Sequence, residues 1–95
     1  DYTCCDTKGI ENFALTIEET KYVIPVLKEI LEINPSLKIM GTPWTCPKWM
    51  KVNDLKNKEP YDSWTGGQLN PDYYQDYATY FVKWIQSFQN EGIKI

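Results

Sequence analysis

Two tryptophans, Trp44 and Trp49, lie in a stretch that two prolines hold rigid: Thr42-Pro43-Trp44-Thr45-Cys46-Pro47-Lys48-Trp49-Met50-Lys51-Val52-Asn53. Pro43 and Pro47 have a fixed φ and no N–H, so neither a sheet ladder nor a helix continues through them. Indole rings on so stiff a backbone offer flat apolar faces. The chemistry they serve is stacking against a flat apolar ligand face, and the sugar ring is the commonest ligand of that shape. Trp44 is therefore the leading candidate for a substrate-binding residue, with Thr45 beside it and Trp49 following. The competing roles are a core tryptophan for Trp44 and loop packing for Trp49.

The remaining reactive side chains offer less. Thirteen carboxylates are present, so a catalytic pair can always be drawn, but none ends a strand-like run. Asp54 and Asp62 fall in a polar stretch. Glu18, Glu19, Glu29, Glu32, Asp72, Asp76 and Glu91 fall on or near helices, where solvated surface charge is the ordinary role. No catalytic residue is assigned in this chain. Histidine is absent and all ten cations are lysine, which removes histidine bases and ligands. Cys4, Cys5 and Cys46 without a fourth ligand are a poor zinc set and read as free structural thiols. Gly66-Gly67 is a turn and not a phosphate loop. No metal or cofactor is implied. A net charge of −3 carries no basic footprint for nucleic acid, and no apolar run reaches the ~18 residues of a membrane span.

The elements that must position Trp44 can be read from local signals. Thr16 with Glu19 forms a capping-box pattern, and the spacing predicts a helix to about Ile33 that Pro25 confines or kinks. Tyr22, Val23, Ile24, Val26, Leu27, Ile30, Leu31 and Ile33 cover more than half of it, which suits a helix sandwiched between a sheet and other helices. Leu37 to Thr42 predicts a short strand leading into the Pro/Trp stretch. Residues 53–68 predict a polar excursion. Asn70-Pro71-Asp72 is a helix start, with Tyr74, Tyr77, Ala78, Phe81, Ile85 and Phe88 on its apolar face, and Gly92 as its stop. Ile93 and Ile95 open another strand. Helices alternating with strands predict parallel βα units in one α/β domain over residues 1–95. The Pro/Trp stretch then follows a strand, at the end where such folds place their sites.

The run from Met40 to Asn53 resembles the Ser-Pro-Trp-Thr/Ser-X-Pro-X-Trp-Met/Leu-Lys-Thr-Asn block of glycoside hydrolase family 30, which includes glucosylceramidases and β-1,6-glucanases. Gly67, Leu69, Pro71, Tyr73 and Tyr74, the run Tyr80-Phe81-Val82-Lys83, and Glu91-Gly92-Ile93 are similar to the helix that follows that block. Tyr2, Thr3, Asp6 and the run from Phe13 to Glu19 are similar to the segment before it. Thr42 stands where the family usually has serine. Cys4 departs from its Tyr-Thr-Tyr.

The resemblance implies a partial (β/α)8 TIM barrel covering roughly helix 2, strand 3, helix 3 and the start of strand 4. It implies a retaining glycosidase in which one carboxylate attacks the anomeric carbon and a second protonates the leaving oxygen. The acid/base would lie in an Asn-Glu-Pro triplet at the end of the strand that Lys94 and Ile95 begin, and the nucleophile far downstream. The chain then reads as an internal piece, inactive alone. Trp44 carries over as a glucose contact. The implied partner is a β-glucoside, with glucosylceramide preferred and a β-1,6-glucan second. A glycolipid would be met at a membrane surface. The implied compartment is extracellular, lysosomal or another endomembrane lumen. A carbohydrate-binding piece without chemistry is the alternative of another class.

Overall fold

The computed structural model of the chain describes residues 7–95. The expectations for Tyr2, Thr3, Cys4, Cys5 and Asp6 lie outside the described residues. Two helices carry the architecture. The first opens at Ile17 and Glu18, widens into a π segment over Glu19–Val23, and continues as α1 over Ile24–Ile33. Pro25 therefore does not end the helix, but the regular α segment lies almost wholly on its C-terminal side, as expected from its ring. Its missing N–H and its ring conflict with the carbonyl one turn earlier, and widening to the π spacing just before it absorbs that conflict. Asn34 ends α1, with its N–H donated to the Ile30 carbonyl at 2.8 Å.

The second helix, α2, runs over Tyr74–Asn90 behind a 3-10 turn, Pro71–Tyr73. Its start follows the local signals: Asn70 Oδ1 accepts from the Asp72 N–H at 3.0 Å and Pro71 occupies the first helical position. Its end is a Schellman closure. Ile93 N–H donates to Phe88 O at 3.0 Å and Gly92 N–H to Gln89 O at 2.9 Å, with Gly92 at φ 81°. Phe88 and Ile93 are both buried and supply the hydrophobic contact that accompanies this motif.

The main core gathers Ile24, Phe88 and Ile93, with Leu15, Val23, Leu27, Leu31, Ile39, Trp84 and Ile95 packed around them. The apolar stripe of α2 is rotated from the expected one. Tyr80 and Phe88 are buried and Trp84 half-buried, whereas Tyr74, Ala78 and Ile85 are exposed. On the first helix Val23, Ile24, Leu27 and Leu31 are covered, while Tyr22, Val26, Ile30 and Ile33 face outward. A face this wide needs two partner layers, and the described residues supply one.

The strand expectations need correction. Neither residues 37–42 nor Ile93 and Ile95 form assigned strands. A strand is made by ladder partners on its sides, and the described residues give this run a turn bond from the Leu37 N–H to Asn34 O at 3.2 Å and side-chain neighbours, Ile39 in the core and Gly41 against Trp84 and Ile95, but no ladder. The pairing that does form is antiparallel, between β1 (Lys51–Val52) and β2 (Gln68–Leu69), with Lys51 opposite Leu69 and Val52 opposite Gln68. It closes the polar excursion at its base, and Val52 makes a further bridge to Pro60.

Candidate functional site

Among the described residues Trp44 is 61 % exposed. Pro43 beside it joins Gly41, Thr42, Tyr80, Phe81, Trp84, Ile85 and Ile95 around an apolar cleft against α2. Gly41 must lack a side chain there, because a Cβ would lie 2.6 Å from the Trp84 ring. Thr45 is half-buried. Cys46 is buried and free, and burial pushes its thiol upward, only partly offset by the Lys51 charge. A protonated, enclosed thiol is a packing group and not a nucleophile. Tyr77 is pushed up to about 12 by burial, with Cys46 and Tyr80 adding to the shift. It stays a neutral phenol.

After Pro47 the chain turns through a 3-10 segment, Lys48–Met50, whose first bond is Met50 N–H to Pro47 O at 3.0 Å. Met50 is fully buried and anchors the segment. Trp49 packs edge-on against Tyr73 at 5.1 Å between ring centroids. It also lines a groove with Lys48, Lys51, Pro60, Tyr61 and Asp62. Among the described residues its indole N–H is buried without an acceptor.

The excursion that forms the far wall of this groove is held by its own polar side chains. Asn53 Oδ1 accepts from the Asp54 and Glu59 N–H groups at 2.7 and 3.1 Å. Asp54 Oδ1 accepts from Lys56 and Asn57 at 2.9 and 2.6 Å, and Gln68 Oε1 accepts from Leu55 at 3.0 Å. These oxygens organise backbone, which removes Asp54 from consideration as a reactive acid. Lys51, only 5 % exposed, donates to Trp64 O at 2.7 Å. Lys48 pairs with Asp62 at 3.2 Å and lies 5.3 Å over the Trp64 ring. Gly66 and Gly67, both at φ 74°, lie against the Tyr61 ring, where any side chain would collide.

Sequence reasoning missed two buried charges, Lys51 and Glu19. Glu19 is 3 % exposed and not a surface acid. It accepts from the Thr16 N–H at 3.3 Å, the Thr16 hydroxyl at 3.4 Å and Trp84 Nε1 at 3.1 Å. The capping-box spacing pointed to the first of these contacts. Nothing local points to Trp84. Among the described residues no cluster of histidine, cysteine and carboxylates could hold a metal.

Comparison with known proteins places these features in a family. Residues 2–95 match the glycosyl hydrolase family 30 TIM-barrel domain. The mouse lysosomal acid glucosylceramidase is 31 % identical over 98 % of this chain, which spans 18 % of that protein. The endo-1,6-β-D-glucanase neg1 of Aspergillus fumigatus is 35 % identical over 74 % of the chain, which spans 16 % of it. The solved structure of the endo-β1,6-glucanase BT3312 superposes on the whole chain with a TM-score of 0.96 at 73 % identity, and the chain covers 21 % of it. With a family match over nearly its full length and a superposition that leaves no segment out, the chain belongs to glycosyl hydrolase family 30 and forms part of its TIM-barrel domain.

Proposed function

We propose that the protein to which this chain belongs is a retaining glycosidase that cleaves β-1,6-linked glucan. In this reading the chain supplies part of the wall of the substrate site. The observation that carries it is the likeness to an endo-β1,6-glucanase at 73 % identity over all of the chain. The glucosylceramidase likeness lies at 31 %. This reverses the order drawn from the sequence, where glucosylceramide stood first. Local motifs are shared by both branches of the family, so the block around Trp44 does not separate them.

Two carboxylates about 5–5.5 Å apart do the chemistry in such enzymes, and both are assigned to parts of the barrel beyond this chain. The segment corresponds to helix 2, the third-strand region, helix 3 and the approach to strand 4. Trp44 stacks on a glucosyl ring, Thr45 shapes the loop beneath it, and Trp49 serves the adjoining groove. The compartment is extracellular or lumenal, in keeping with the lysosomal mouse relative, and no helix among the described residues is long and apolar enough to cross a membrane. The test is turnover of the full-length protein on β-1,6-linked glucan, glucosylceramide and an aryl β-glucoside. Cleavage of the glucan at least tenfold faster than the glycolipid supports the proposal. The reverse order restores glucosylceramide. Sugar binding with no turnover on any of the three replaces the enzyme by a carbohydrate-binding protein.

A further inference from the structure

We infer that the groove between the 3-10 turn Lys48–Met50 and the excursion 53–68 holds a further glucosyl unit of the glucan, separate from the unit stacked on Trp44; this rests on the glucanase reading above. The groove measures about 270 Å³, just under the ~300 Å³ at which ligand pockets begin, and suits one sugar ring. Its lining combines aromatic walls, Trp49 and Tyr61, with a cation and a carboxylate, Lys51 and Asp62. Sugar recognition needs that combination, because a pyranose has apolar C–H faces and a rim of hydroxyls that both donate and accept.

Two observations mark the groove as built to receive a ligand. Lys51 is about nineteen-twentieths buried, and among the described residues its ammonium makes one hydrogen bond, to Trp64 O at 2.7 Å. An ammonium has three donors. A buried cation with donors to spare is costly unless an acceptor arrives. Asp62 faces solvent with its side chain 90 % exposed while pairing with Lys48, so its carboxylate is open to accept from a hydroxyl. Gly66 and Gly67 back the Tyr61 ring and fix this wall.

The test uses the full-length protein and β-1,6-linked glucose oligomers of increasing length, with an aryl β-glucoside as the one-sugar reference. The readout is the ratio of kcat/KM for a long oligomer to that for the aryl glucoside. Asp62→Ala removes an exposed side chain and is expected to leave the fold intact. We expect it to lower the ratio about tenfold, and Lys51→Met to lower it at least as much wherever that variant melts cooperatively. A ratio within twofold of the parent in Asp62→Ala overturns the groove assignment, even if Lys51→Met fails to fold. A parent protein that cleaves the aryl glucoside but no β-1,6-linked oligomer overturns the glucanase reading, and the groove assignment with it. A parent that cleaves the oligomers with an unaltered ratio in Asp62→Ala overturns the groove alone.

Discussion

Trp44 is large, apolar and 61 % exposed on a loop fixed by Pro43 and Pro47. Exposed residues contribute little to folding, so Trp44→Ala in the full-length protein should change stability by less than about 0.5 kcal/mol. Covering an aromatic face of this size with a ligand is worth about 1.5–3 kcal/mol, so kcat/KM on the glucan should fall roughly 10- to 150-fold. Trp44→Phe should recover part of the loss. Thermal melts beside steady-state kinetics check both halves. A variant that unfolds while its remaining folded fraction keeps full activity would return Trp44 to a structural role. Trp44 was legible in the sequence because its evidence is local: a residue type, two prolines and a short spacing. Lys51 and Glu19 were not, because burial is decided by distant partners. Lys51 reads as one more surface cation until the chain folds back to bring Trp64 O onto it. Glu19 reads as a cap until α2 brings up Trp84.

Glu19 is also where the two helices are joined by polar atoms. Its carboxylate holds the start of the first helix through Thr16 and receives the indole N–H of α2. Removing it leaves Trp84 Nε1 in a half-buried site without its acceptor, and hydrogen bonds to a charged partner are worth about 1.5–3 kcal/mol. Glu19→Ala should therefore cost about 2–3 kcal/mol, and Trp84→Phe somewhat less. The double variant should fall short of their sum by about 0.5–2 kcal/mol. Denaturant unfolding of the four full-length proteins measures this, and strict additivity would mean that the contact ties nothing. The surface pair Lys28–Glu91, at 2.9 Å with both side chains about half exposed, links the same helices for at most about 1 kcal/mol. Element starts and stops were legible because Asn70, Pro71 and Gly92 act within one turn of their own backbone. The strands were not, since a run such as residues 37–42 pairs as a strand only where a ladder partner lies beside it, and the described residues supply none. The rotation of the α2 stripe was hidden by an aromatic content that surrounds much of that helix.

For the molecule as a whole, the dimensions decide how the segment must live. A compact chain of this length has a radius of gyration of about 12 Å and an accessible surface of about 5,700 Å². The observed values are 15.2 Å and 6538 Å². The excess is apolar in part: Ile17, Tyr22, Val26, Ile33 and Met40 are all more than half exposed. These side chains line the outer stripe of the first helix and the run after it, where a TIM-barrel domain packs further layers. Hydrophobic surface left in water gives up about 25 cal/mol per Å², a serious loss when small domains are stable by only about 5–15 kcal/mol. The 95 residues expressed alone should therefore bind a hydrophobic dye and melt without a sharp transition, while the full-length protein melts cooperatively. They should also release no aryl alcohol from an aryl β-glucoside, because stacking on Trp44 positions a sugar but cannot protonate a leaving group or attack an anomeric carbon. A sharp melt of the isolated segment would show that the exposed stripe is tolerated without further layers. Turnover by the isolated segment would mean that carboxylates within it do the chemistry, with Asp62 and Glu59 on the excursion the first to be replaced.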